Sequence, residues 1–229
     1  MTRARDLAAG TFELATGGVL KLETSDTTVT DGSVLGKIEF KAPDEASGTD
    51  ANLTAAAIEA VAEGTFAADN NATELVFKTG ASAAADAKMI IDSIGNLLVG
   101  TTDTSLYNNT SGSGIMLAAS GRIDVARVQD VCSILNRTGS SDGSIINFAK
   151  NGSTSGLIGV AGSNIYIGSV DTGLKVDYAA NAIHPCNPSS DGSGRDDVVD
   201  LGKSNIRFDD IFATNGTIQT SDANEKQDI

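Results

Sequence analysis

Tryptophan is absent from this chain, and aromatic residues together make up only 4% of it. Aromatic side chains bury the most area per residue, so a compact single core would rest on Ile, Val, Leu and Ala. Apolar residues reach 40%, near the low end for a globular protein. That supply suits an elongated structure whose thin core is shared by several chains. The sequence has no run of about 18 apolar residues, the length a membrane-spanning helix needs. Its start, MTRARDLAAG, lacks the apolar stretch of a secretory leader. Basic clusters are missing too. Lys and Arg number 16 against 30 acidic residues, for a net charge of −14, and the densest basic pair is Arg3 and Arg5. Nucleic acid requires a positive face, so no nucleic-acid partner is expected. Acidity of this size keeps a long particle soluble.

Cysteine and histidine are equally scarce. Cys132 and Cys186 lie far apart without metal-ligand spacing, which predicts two free, buried thiols in a reducing cytoplasm. The Asn-x-Ser/Thr triplets at Asn52, Asn71, Asn108, Asn136, Asn151 and Asn215 then reflect loop composition rather than glycosylation. His184, in AIHPC, is the only histidine. With Cys186 it offers two metal ligands, and under three-fold symmetry one His184 per chain could meet on an axis. The reading adopted is a packed histidine ahead of Pro185, which favours extended backbone at the residue before it. No cofactor and no metal are expected. Neither a GxxxxGK[ST] loop nor a strand–GxGxxG–helix unit is present, and one histidine in a structural strand gives no catalytic triad. Asp196, Asp197, Asp200, Asp209 and Asp210 read as solvated turn acids. Adjacent aspartates on extended chain point to opposite sides, whereas glycosidase carboxylates flank a cleft. No twelve-residue calcium loop occurs. The chain is not expected to be an enzyme.

What the sequence has in quantity is glycine, 25 residues against 3 prolines, placed between short alternating runs. In DGSVLGKIEFKA, Leu35, Lys37 and Glu39 fall on one face and Val34, Ile38 and Phe40 on the other. ELVFKTG reads as a strand. KMIIDSIGNLLVGTT reads as a hairpin broken at Ile94-Gly95-Asn96, with Gly95 supplying a positive φ. GIMLAASGRIDVAR, SIINFAKNGSTSGLIGVAGSNIYIGS and GLKVDYAANAIHP continue the pattern, with turns about every ten residues. ANLTAAAIEAVAEG (51–64) stays open between helix, for its alanines, and strand, for its alternation. DGSVLGKIEF and DGSIINFAK form a loose internal echo. TRARDLAA (2–9) reads as a short helix capped by Thr2. The polar stretches 101–114 and 187–197 read as linkers or long loops.

Several segments, in order, resemble bacteriophage tail fibre proteins. They are TRARDLAA, then LGKIEF, LVFKT and MIIDSIGNLLVGTT, then LNRTGSSDGSIINFAKNGSTSGLIGV and NIYIGSVDTGLKVD, then VVDLGKSNIRFDDIFATNGTIQT. The closing SDANEK resembles the start of an endosialidase-type (S74) intramolecular chaperone, a domain that folds the fibre as a trimer and then cuts itself off. The resemblance implies that Ser221 is the nucleophile, Lys226 its base, and Thr220–Ser221 the bond cut in a longer precursor. A serine needs such a base, and a lysine serves when desolvation lowers its pKa. The chaperone body is not part of this sequence, so nothing buries Lys226 and no proteolysis by this chain is expected.

The combined expectation is an all-β, elongated homotrimeric fibre of intertwined or stacked β modules with a short N-terminal helix. Residues 1–16 would attach to other tail proteins through Arg3, Arg5 and Asp6. Residues 17–102 and 103–186 would form two β modules. Residues 187–220 would lead to the chaperone, and 221–229 would be the chaperone's first residues. The resemblance implies a virion tail component, assembled in the host cytoplasm, that binds a bacterial surface glycan or protein receptor. The loops at 101–114 and 187–197 are the candidate contact surfaces. Alternatives are a tail connector that does not bind receptor, and an autoproteolytic precursor.

Overall fold

The computed structural model describes residues 16–42, 49–212 and 214. The chain divides into two units, one ending at Ile134 and one beginning at Leu135. The all-β expectation holds: the described elements are antiparallel strands and three single 3-10 turns. The N-terminal helix at 2–9 lies outside the described residues.

The first unit is a seven-stranded meander with its strands in sequence order. They are β1 (Val34–Phe40), β2 (Ala56–Ala62), β3 (Thr73–Thr79), β4 (Asp86–Ile91), β5 (Leu97–Val99), β6 (Gly114–Leu117) and β7 (Ile123–Ala126). The ambiguous stretch 51–64 resolves as a 3-10 turn, Asp50–Asn52, followed by β2. Pairing with β1 on one side and β3 on the other overrides the helix preference of its alanines, since strand preference is set by neighbours. The β4–β5 turn uses Gly95 at φ 89°, as its position predicts.

Residues directly opposite one another in neighbouring strands share a face. One such row runs Lys37–Glu59–Val76–Ile90–Leu98–Met116–Asp124. Its apolar centre is buried beneath Leu106, and its ends are charged. The opposite face carries Ile38–Ile58–Phe77–Met89–Val99–Ile115–Val125 and, beside it, Leu75–Ile91–Leu97–Leu117–Ile123. Every residue of these two rows is apolar, and none is buried.

The second unit is a six-stranded meander. Its strands are β8 (Gly143–Lys150), β9 (Ser153–Ala161), β10 (Asn164–Ser169), β11 (Thr172–Asp177), β12 (Ala182–Asn187) and β13 (Ser193–Gly194). It has the same two-faced design. Ile146–Ile158–Ile167–Leu174–Pro185 and Val160–Ile165–Val176–Ile183 form one apolar face, again without a buried member. The other face holds Ser144–Gly159–Tyr166–Lys175–His184, with Tyr166 1% exposed. A Cβ at Gly159 would collide with the Tyr166 ring, so this cross-strand site admits only glycine without a shift of the ring. The Asp-Gly-Ser sequences at 31–33 and 142–144 each lead into the first strand of a sheet, β1 and β8.

Two expectations need correction. The boundary expected near 102 falls inside the first sheet, because β6 and β7 pair onto β5 rather than open a new module. The sheets instead part between β7 and β8, in residues 127–142. The apolar members of that stretch, Val128, Val131, Ile134 and Leu135, lack the alternation of a strand and lie exposed. Cys132, in the same stretch, is exposed rather than buried, while Cys186 is buried as expected.

Candidate functional site

Both polar stretches singled out as loops turn out to close the polar face of a sheet. In the first unit Asp103 shapes the loop. Its Oδ1 accepts from the Ser105 backbone at 2.7 Å and its Oδ2 from the Asn109 amide at 2.7 Å. The Asn109 amide and then the Ser105 N–H hold the Asp103 carboxyl below its usual pKa. The 3-10 turn Leu106–Asn108 follows and sinks Leu106 into the cluster of Val76, Ile90, Leu98 and Met116. In the second unit the 3-10 turn Pro188–Ser190 is capped by Asn187, which accepts from the Ser189 backbone at 3.0 Å. The Ser189 hydroxyl donates to the Val170 carbonyl at 2.5 Å. Pro188 is buried over Gly168 and Gly173, which belong to the Tyr166 face. Neither stretch is a bare linker; each is a lid.

The first lid carries an exposed aromatic. Tyr107 is 66% exposed, and the Arg122 guanidinium carbon sits 4.6 Å from its ring centre. Arg122 is itself held by Asp124, donating from Nε at 2.7 Å and Nη2 at 2.8 Å. That carboxylate raises the arginine pKa. Asp124 is buried, so the pair is fixed from below. Asn108, Asn109, Thr110, Ser111 and Ser113 help line a concavity of about 390 Å³ in the same loop.

Charge on the polar face of the first sheet is paired. Lys78 in β3 reaches across to the buried Glu59 in β2, and Lys37 meets Glu39 within β1 at 2.8 Å. Toward one end of β3, Glu74 is partly buried. Burial first, and then the charges of Glu63, Asp31 and Asp92, push its pKa up.

The sequence-predicted residues separate clearly. Arg3, Arg5, Asp6, Thr220, Ser221 and Lys226 lie outside the described residues. His184 is half-buried on the Tyr166 face. Its Nδ1 lies 3.1 Å from the Pro185 carbonyl and its Nε2 3.4 Å from Asp177 Oδ2. Cys186 shares that face, but burial pushes its thiol pKa up. Among the described residues no three His, Cys, Asp or Glu side chains gather as a metal site. Asp196, Asp197, Asp200, Asp209 and Asp210 are all exposed. The Tyr107–Arg122 contact was not foreseen, since its partners stand fifteen residues apart and meet only through the pairing of β6 with β7.

No protein-family model matches the chain, and no curated protein matches it. Among solved structures, it is similar to the carboxy-terminal domain of the bacteriophage T5 L-shaped tail fibre with its intramolecular chaperone domain. Identity is 16% and the TM-score 0.36, over 96% of this chain and 71% of that one. A second structure, of the carboxy-terminal domain of the same fibre, gives 15% identity and a TM-score of 0.34, over 91% of this chain and 98% of that one.

Proposed function

We propose that this chain is a structural subunit of a bacteriophage tail fibre, working as a homotrimer in the virion tail and attaching to a bacterial surface glycan or protein. The observation that carries the proposal is the apolar face on each of two sheets. Contiguous exposed apolar surface of this extent marks an interaction site. A sheet of chains arranged about a common axis buries such faces against one another and shields the edge strands β1, β7 and β8. The thin apolar composition follows, since each chain supplies only part of a core. The ordered resemblance of the sequence segments to fibre proteins gives that assembly its setting. Arg3, Arg5 and Asp6 would dock to other tail proteins. In a longer precursor, Thr220–Ser221 would be the bond cut, with Ser221 as nucleophile and Lys226 as base.

With the apolar faces inward, the two lids face solvent, so 101–114 and 187–197 are the surfaces free to meet a host cell. Light scattering of the purified protein, together with the intact mass of its chain, tests the assembly. Three chains per particle is the expected result. A stable, soluble monomer would remove the shared core and with it the fibre reading. The competing role, a tail connector that never touches the host, predicts particles that assemble normally and adsorb equally well with both lids altered.

A further inference from the structure

We propose that Tyr107, seated on Arg122, is a stacking platform for a pyranose ring of a bacterial surface polysaccharide. The proposal rests on the attachment reading above and names the ligand class and the residue that meets it. A pyranose has an apolar C–H face and a rim of hydroxyls, so its complement is a fixed aromatic face with hydrogen-bonding groups beside it. Arg122 covers one face of the Tyr107 ring and leaves the other to solvent. The ring is ordered before any ligand arrives. Below it Asp124 grips the guanidinium through Nε and Nη2, and the neighbouring Leu106 is buried in the core. Little conformational freedom remains to be lost on binding. Among the described residues nothing engages Arg122 Nη1, which is free to donate to a sugar hydroxyl. Leu106 and Asn108, on either side of Tyr107 in sequence, line the loop's concavity together with amide and hydroxyl neighbours and the Asp103 carboxylate. Those groups suit hydroxyls rather than a polyanion. Of the other exposed aromatics, Phe40 and Phe148 sit on strands, on the apolar faces that sister chains would cover, and Tyr178, Phe208 and Phe212 sit outside the strands; Tyr107 lies on the polar side of its sheet.

The test uses the full chain. Wild type, Tyr107→Ala and Tyr107→Phe are titrated against immobilised O-polysaccharides and capsular polysaccharides from a panel of bacteria, and in parallel against whole cells of the same strains. Wild type and Tyr107→Phe should bind one polysaccharide alike, with Tyr107→Ala at least tenfold weaker and particle size unchanged. Equal binding by Tyr107→Ala would overturn the platform. So would wild type that attaches to cells but to no polysaccharide, an outcome that leaves the attachment reading standing. Wild type that attaches to neither polysaccharide nor cells would end both.

Discussion

Replacing Ile167 by alanine tests the shared core where its arithmetic is simplest. Ile167 lies in β10, inside the second sheet, in the middle of an apolar row. In the single chain it is 55% exposed. Full burial of an isoleucine side chain is worth roughly 1.5–3 kcal/mol. Sister chains would cover about half of that, and alanine keeps one methyl, so the loss is about 1 kcal/mol per chain. Three chains lose about 3 kcal/mol together, or roughly a hundredfold in the association constant. Ile167→Asp should prevent association, because a carboxylate would enter an apolar interface without a partner. A dilution series followed by sedimentation or light scattering reads both effects. Arg127→Ala, on an exposed ion pair with Asp130, is the control and should leave the midpoint alone. If Ile167→Ala dissociates at the same concentration as wild type, the row is not the interface and the reasoning fails.

Three further outcomes follow from the described geometry. The Tyr166 hydroxyl is buried without a hydrogen-bond partner among the described residues, so Tyr166→Phe should leave the melting temperature unchanged or raise it; a fall of several degrees would show that the hydroxyl is satisfied. Glu74 binds its proton more tightly folded than unfolded, so its charge costs stability as pH rises through the ordinary glutamate range and up to the raised value. Glu74→Gln should therefore unfold at higher denaturant than wild type at pH 7, with the gap closing below the ordinary glutamate pKa; no gap at pH 7 would contradict this. Under native conditions a thiol reagent should label Cys132 quickly and Cys186 only on unfolding; two fast thiols would place Cys186 at the surface.

The alternation and turn chemistry made the strands legible, because period two and glycine turns are local signals. The face assignment in β1 was legible only in part. Lys37 and Glu39 do share the polar face and Ile38 and Phe40 the apolar one, but the register shifts between Val34 and Gly36, and a bulge is invisible to strict alternation. Residues 51–64 could not be settled locally, since an alanine-rich strand becomes a strand through its neighbours. The lids are legible as polar linkers or long loops, but their role in closing a face is not. One buried residue in each, Leu106 and Pro188, does the closing, and neither stands out in its sequence. The boundary has the same origin: the polar text between β5 and β6 gives no sign that β6 folds back to pair with β5.

The sequential order of the strands bears on timing. When each strand pairs with the one just before it, loop closure is short and a sheet can form hairpin by hairpin, quickly and without a long search. In the proposed trimer, covering its apolar side would be a different kind of event, because sister chains would have to collide and the rate would then depend on concentration. Each newly folded subunit would pass through an interval in which it is ordered and adhesive at once, the condition that favours aggregation. For such a chain the hazard of refolding would be set by how long the subunits wait for one another. Chains made close together, as on a shared message, would shorten that wait.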